Sequence, residues 1–373
     1  MEMEQVDAYD LIAKLVRASL EFDKKNVEAA ALMIAKKIRN ERPQAAAEIS
    51  KALSYSGYES AGARSIDMSP LPVDRETRYA LAKLVEPMEV AEPILDEYVR
   101  KQLDDFIKER QMIVRFLDED ITPPNSILLY GEPGVGKTYI AQWIAYQLDL
   151  PLVTLDLASS ISSFLGRSGQ NIRSIFEYAI QQNAVLLLDE LDSIAKRRDD
   201  AGDLGELKRL VNVLLKELED FPSTSVIIAA TNHPELLDRA IWRRFDRTLV
   251  VPMPEENQRM QLLQRHLGKL NAVLRKNTME YLSRNTKEIN AADICKMCEH
   301  IKRQVVLYSD QNADLIALAE LFKMARLESK EEKIAVCRLL KKNFLNLSQR
   351  EIAQITQIPL TSVSSYLSKV TEE

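Results

Sequence analysis

Glycine is scarce in this 373-residue chain, at ten residues, and cysteine is scarcer, at three. Such low glycine content, beside runs of Ala, Leu, Lys and Glu, argues against a turn-rich all-β protein and for a helix-rich one with a single sheet. An odd, small cysteine count does not suit a disulfide framework and fits a reducing compartment. A dominant charge is missing too: 50 Lys and Arg against 56 Asp and Glu leave a formal net charge of −6. The chain is therefore not coated for nonspecific nucleic-acid binding, which leaves only a local basic face for that role. No apolar run approaches the roughly 18 residues of a membrane-spanning helix. The opening "MEMEQVDAYD" lacks the basic-then-apolar order of a signal peptide, so a cytoplasmic location is expected. Neither HExxH nor GxSxG occurs, so any proteolytic role would need a protease on a separate chain.

What is present suffices for a sizeable core: 46% of residues are hydrophobic, enough for about two to four domains. Residues 6–53 carry apolar side chains at helical spacing, as in Leu11, Leu15, Ile34 and Ile38, which predicts a small helical bundle. "SYSGYESAGARSIDMSPLPVD" reads as a linker. "AEPILDEYVRKQLDDFIKERQMIVRFL" reads as one helix with Ile94, Tyr98, Phe106 and Ile107 near one face, closed off by Pro123 and Pro124. Strands and helices then alternate: "SILLY", "PLVTLD", "AVLLLDE", "SVIIAAT" and "TLVVPMP" are short, almost wholly apolar strands separated by helical stretches. That pattern predicts a parallel sheet covered by helices on both faces. From Glu255 onward the pattern is helical only.

"GEPGVGKT", residues 131–138, fits G-x-x-x-x-G-K-[ST] and stands after one strand and at the start of one helix, the context that makes the pattern specific. The nucleotide-binding stretch is expected to comprise Gly131, Glu132, Pro133, Gly134, Val135, Gly136, Lys137, Thr138 and the adjoining Tyr139. Glycines let backbone N–H groups converge on phosphate oxygens, and the helix N-terminus adds its positive dipole end. Lys137 would reach the β and γ phosphates, and Thr138 would ligate Mg²⁺. In "AVLLLDEL", Asp189 ends a buried strand as a second Mg²⁺ ligand, and Glu190 can deprotonate an attacking water. A base beside the metal ligand suits hydrolysis better than transfer to an alcohol. ATP and Mg²⁺ are the expected ligands.

With these motifs in place, residues from about 120 to 300 resemble the AAA+ ATPases, and specifically their protein-remodelling AAA branch. "VIIAATNHPELLDRAIWRRFDRTLVVPMP" resembles that branch's second region of homology, which implies a sensor role for Asn232 and arginine-finger roles for Arg243 and Arg244. An amide at the tip of a strand between the two nucleotide strands can hold the lytic water; arginines on an outer corner can reach only a neighbour's γ-phosphate. Hydrolysis would then require a homo-oligomer, a ring that the resemblance makes hexameric. "PEENQRMQLLQRHL" resembles the start of the helical lid, with His266 near the adenine, although a single helical His is as readily structural. "NAADICKMCEHI" resembles the lid helix bearing a G-A-D pattern, with Ala291 where glycine is usual. Cys295 and Cys298, at i, i+3 spacing with no partner pair, read as core thiols rather than metal ligands.

"SSISSFLGRSGQNIRSIFEYA" resembles the branch's pore loop, with Phe164, Leu165 and Gly166 as its aromatic, aliphatic and glycine positions. An aromatic in a Ser- and Gly-flanked loop would grip an extended polypeptide, unless it tucks beneath its own loop. Lys and Arg are absent from 157–166, so a nucleic-acid backbone would find little charge there. The last segment, "NLSQREIAQITQIPLTSVSSYLSKV", resembles a helix-turn-helix, with an apolar face of Leu347, Ile352, Ala353, Ile355, Val363 and Leu367. Seven Lys or Arg against six Asp or Glu from 328 to 373 leave a surplus of one, which favours protein contact or ring assembly over DNA.

The expected organisation is an N-terminal helical domain with linker at 1–84 and a nucleotide-binding α/β large domain with leading helix at 85–252. A helical lid at 253–327 and a helix-turn-helix-like segment at 328–373 follow. The expected activity is ATP hydrolysis coupled to remodelling or threading a protein substrate, in support of a partner such as a protease. A DNA-directed ATPase of helicase-loader or transposition-regulator type, placed by the C-terminal helices, and a nucleotide-gated assembly switch are the alternatives.

Overall fold

The computed structural model describes residues 71–73, 80–157, 168–193, 204–308, 311–325, 329–344 and 347–368, with scattered helical positions between 12 and 45. Within the expected N-terminal bundle, Leu15 and Ile34 are helical, whereas Leu11 and Ile38 lie outside the described residues.

In chain order the regular elements are β1 (Lys83–Val85), α1 (Glu97–Gln111), α2 (Ile113–Asp118), β2 (Ser126–Tyr130), α3 (Lys137–Gln147), β3 (Leu152–Asp156), α4 (Ser168–Gln181), β4 (Val185–Asp189), α5 (Leu204–Glu219), β5 (Val226–Thr231), α6 (Arg239–Trp242) and β6 (Arg247–Val250). A wholly helical part follows: α7 (Glu256–Leu267), α8 (Lys276–Asn285), α9 (Ala291–Leu307), α10 (Ala313–Ala325), α11 (Lys330–Asn343), α12 (Gln349–Thr356) and α13 (Leu360–Ser368).

The six strands form one sheet in the order β1-β3-β4-β5-β2-β6, parallel throughout except for β1, which runs antiparallel to β3. The architecture is the expected one: a mixed α/β fold with a mostly parallel sheet between helices and a helical part after it. Alternation along each strand feeds two cores. Leu128, Leu186, Leu188, Ile227 and Ala229 point to one face, where α4 and α5 contribute Ile175, Phe176, Leu210 and Leu214. Ile127, Leu129, Val185, Leu187, Val226 and Ile228 point to the other, covered by Leu103 and Phe106 of α1 and Ile140 and Ile144 of α3. Every residue of β5 is buried, which is why its sequence is almost unbroken in apolar character.

Three details depart from the sequence reading. β1 belongs to the sheet, so the boundary expected at 84–85 falls inside a strand; three residues with no alternating run carry too little signal to be read. The long helix expected over 91–117 is two helices with Met112 between them, and it starts only at Glu97, where the Asp96 carboxylate accepts from the Tyr98 and Val99 N–H groups. Tyr98 is exposed, and Ile94 lies before the helix against the core of the helical part. Finally, that core is continuous: Leu263, Leu282, Ile294, Cys298, Leu318, Leu321, Cys337, Leu340, Ile352, Ile355 and Val363 form one apolar cluster running from α7 to α13.

Candidate nucleotide site

β2 and β4 are separated in the sheet by β5, and all three end at the same edge. Loops leaving the carboxyl ends of such strands are where an open parallel sheet binds its ligand. The P-loop leaves β2 there. At Gly131 a Cβ atom would lie 2.3 Å from the Val251 carbonyl oxygen, so only glycine lets the loop pass against β6's exit. At Gly134, φ is +80° and a Cβ would lie 2.6 Å from the Asn290 side chain. Gly136 caps α3 without a side chain to accept from the helix's first N–H groups. Those orphan donors and the helix dipole suit phosphate oxygens.

Lys137 is buried, and its ammonium donates to the carbonyls of Gly131 (2.8 Å) and Glu132 (2.9 Å) and to Asn232 Oδ1 (2.6 Å). Burial pushes its pKa below the usual lysine value, with Asp189, Asp192 and Glu132 pulling the other way. Glu132 and Pro133 are exposed, and Val135 is buried in the α1–α3 core. Thr138 Oγ1 donates to Asp189 Oδ2 at 3.0 Å, which brings a hydroxyl and a carboxylate, hard oxygen ligands of the kind Mg²⁺ takes, to one point. The donor set thus fits a magnesium nucleotide. Tyr139 donates its hydroxyl to the Ala91 carbonyl (2.6 Å), tying α3 to the strap before α1; burial raises its pKa.

Glu190 follows Asp189 with φ +54°, the left-handed region, which a side chain occupies only at a cost of about 1–3 kcal/mol unless its surroundings hold it there. Its N–H donates to Asp189 Oδ1, and the next N–H, of Leu191, donates to the Ala230 carbonyl of β5. Asn232 is the first residue past β5 and is half-buried. Sequence reasoning missed Asp192, buried at 2% exposure, which accepts from Thr231 Oγ1 (2.9 Å) and from the Asn232 N–H (3.2 Å). It follows Asp189 and Glu190 as a third acid within four residues, so nothing in its own segment singles it out.

Arg243 and Arg244 stand exposed after α6, and Arg244 donates to Glu219 of α5 (2.9 Å). Ala291 opens α9 and packs on the helical core. Its neighbour Asn290 was also missed: its Oδ1 caps α9 by accepting from the Asp293 N–H (2.8 Å), and the Ala292 N–H donates to the Gly134 carbonyl (2.9 Å). The first turn of α9 therefore rests directly on the loop after β2. His266 is half-buried on α7; burial lowers its pKa, followed by the charges of Arg265 and Lys302, so it is neutral at pH 7. Cys298 is buried with its thiol pushed up to about 12, as a core thiol should be, and among the described residues no His, Cys, Asp and Glu cluster suits a metal. The residues expected to form the pore loop, Phe164, Leu165 and Gly166, lie outside the described residues.

Sheet order, P-loop and the Asp189–Glu190 pair together define a P-loop nucleotide-binding domain. Residues 127–253 match the family model described as "ATPase family associated with various cellular activities (AAA)". A shorter stretch, 99–153, which includes the P-loop, matches the model of the parvovirus non-structural protein NS1. Among curated proteins, the chain is similar to an uncharacterized AAA family ATPase, y4kL, of Sinorhizobium fredii: 46% identity over 35% of this chain and 40% of the relative. It is similar to the proteasome-activating nucleotidase of Methanococcus maripaludis, at 34% identity over 48% of this chain and 45% of the relative. It is also similar to the ATP-dependent zinc metalloprotease FtsH 2 of Bdellovibrio bacteriovorus, at 39% identity over 47% of this chain and 29% of the relative. The chain thus spans less than half the length of these relatives. Among the described residues no helix is long and apolar enough to cross a membrane.

Proposed function

We propose that this chain hydrolyses ATP with Mg²⁺ as a ring of identical subunits and uses the energy to pull on or remodel a protein. The observation that carries the reading is the meeting of Lys137, Thr138, Asp189 and Asn232 at one sheet edge through bonds of 2.6 and 3.0 Å, with Glu190 adjoining. In this reading Lys137 and the P-loop N–H groups hold the β and γ phosphates. Thr138 and Asp189 hold the metal, which when bound neutralises phosphate charge. Glu190 takes a proton from water as its oxygen bonds to the γ-phosphorus, the bridging P–O bond breaks, and ADP departs with that oxygen. Asn232 orients the water.

Arg243 and Arg244 are exposed, consistent with completing a neighbour's site rather than their own. The protein client is argued from Phe164, Leu165 and Gly166, and from two similar proteins whose names join ATP to proteolysis or a proteasome. A DNA-directed role is the second reading. It draws on α12 and α13, joined through a left-handed Gln357, with Thr361, Ser364 and Ser365 exposed on α13. A charge surplus of one weakens it.

Glu190→Gln should retain ATP, stabilise the assembly and halt turnover; rapid hydrolysis by that variant would remove the assigned base. Affinity capture on Glu190→Gln with ATP is the route to the client. Phe164→Ala should keep ATPase activity and lose client processing, and unchanged processing would end the threading reading.

A further inference from the structure

Resting on the hydrolytic reading above, we propose that Asp192 is a positioning residue which locks the arm carrying the base Glu190 to the arm carrying the amide Asn232. The two arms come from different strands, β4 and β5, and each ends one residue before its working side chain. Nothing in the strand pairing alone sets their separation, because the last paired residues are Leu188 and Ala229. Beyond them one backbone bond, Leu191 N–H to the Ala230 carbonyl, continues the ladder past the left-handed turn at Glu190.

The Asp192 carboxylate supplies the rest of the clamp. Its Oδ1 accepts from the Thr231 hydroxyl at 2.9 Å and from the Asn232 backbone N–H at 3.2 Å, so one oxygen holds both the last residue of β5 and the first beyond it. Thr231 Oγ1 in turn accepts from the His233 N–H at 3.1 Å, which bends the chain back immediately after Asn232. On the other arm, the Ser193 N–H donates to the Glu190 carbonyl at 2.9 Å, making 190–193 a tight turn with Asp192 inside it. The tip held in this way also receives the Lys137 ammonium on Asn232 Oδ1.

A carboxylate is expensive to bury, so its presence at 2% exposure asks for a return beyond filling space. The return is geometric. A water held between a base and an amide reacts efficiently only if both are fixed, and a misplacement of about 1 Å can cost about 100-fold in rate. Asp192 touches neither phosphate nor water in this scheme; it acts through Glu190 and Asn232.

The experiment uses the full chain and measures ATP kcat and KM, affinity for a fluorescent ATP analogue, and melting temperature. Asp192→Ala should lower kcat by about 30-fold or more while KM and analogue affinity stay within about 3-fold, the split expected when only transition-state geometry is lost. Asp192→Asn keeps an Oδ1 acceptor for both donors and should recover kcat to within about 5-fold of the wild type. Thr231→Val, which removes one of the two bonds on Asp192 Oδ1, together with the His233 N–H bond to Thr231 Oγ1, without opening space, covers the case in which Asp192→Ala does not fold, and should fall between them. The proposal is overturned if Asp192→Ala turns over within about 3-fold of the wild type, if KM rises as far as kcat falls, or if Asp192→Asn is as impaired as Asp192→Ala. A wild type without ATPase activity would instead refute the hydrolytic reading itself, so the two failures are separable.

Discussion

The contact between Gly134 of the P-loop and Asn290 at the head of α9 allows a quantitative test of how the lid sits on the nucleotide site. Gly134→Ala does two things. It puts a side chain at φ +80°, which costs about 1–2 kcal/mol for a left-handed residue. It also places a methyl 2.6 Å from Asn290 Cγ and Oδ1. Asn290 cannot swing away freely, because its Oδ1 holds the Asp293 N–H and its Nδ2 donates to Asp293 Oδ2 at 3.0 Å. Moving it gives up two hydrogen bonds, about 0.5–1.5 kcal/mol each. The alternative, lifting α9 off the loop, breaks the Ala292 N–H to Gly134 carbonyl bond instead. Gly134→Ala should therefore cost about 2–5 kcal/mol, and Asn290→Ala about 1 kcal/mol through its lost cap. In the double variant the clash has no partner, so only the φ penalty and the cap loss remain, and the cycle should show a favourable coupling of about 1–3 kcal/mol. Denaturant midpoints of the four proteins, with ATP-analogue affinities measured in parallel, give that coupling directly. Additivity to within about 0.5 kcal/mol would refute the claim that Asn290 and Gly134 meet.

Removing residues 328–373 should lower the melting temperature and expose apolar surface to a dye, because Cys337, Leu340, Ile352, Ile355 and Val363 share the core of α7–α10; an unchanged melt would show two independent cores. Leu263→Ala, fully buried in that cluster, should cost about 2–5 kcal/mol by denaturant unfolding. Arg247→Ala should destabilise by about 1.5–3 kcal/mol, since the guanidinium joins β6 to Glu109 and the Gln102 carbonyl of α1. In alkylation followed by mass spectrometry at pH 8, Cys298 should resist labelling until the protein unfolds, its thiol being buried with a pKa near 12. His266 has a folded value below 6.5, so the unfolded chain takes up the proton first as pH falls. Its contribution to stability is intact above about pH 6.5 and lost below it, and His266→Gln should flatten that part of the pH–stability curve.

The sheet was legible because its strands are buried on both faces, so β2, β4 and β5 announce themselves as unbroken apolar runs such as "SILLY" and "VIIAAT". The P-loop was legible because a phosphate cradle demands glycines and a lysine at fixed spacing within a few residues. Such local constraints write themselves into the chain: the neighbours in space are the neighbours in sequence. β1 left no comparable mark, since three edge residues depend on β3, some 70 positions away, for all their pairing. The same holds for Asp192 and Asn290, each an ordinary polar residue in its own segment. What gives them meaning is the meeting of β4's exit with the tip of β5, and of α9's first turn with the loop after β2. By itself the sequence determined a mostly parallel sheet with a glycine-rich loop and a lysine–threonine pair at the end of one strand, because those constraints are local. Only the tertiary structure decided that Asp192 bonds the tip of β5 and that α7–α10 and the last helices share one core, because those bonds and contacts join residues whose separation along the chain carries no pattern.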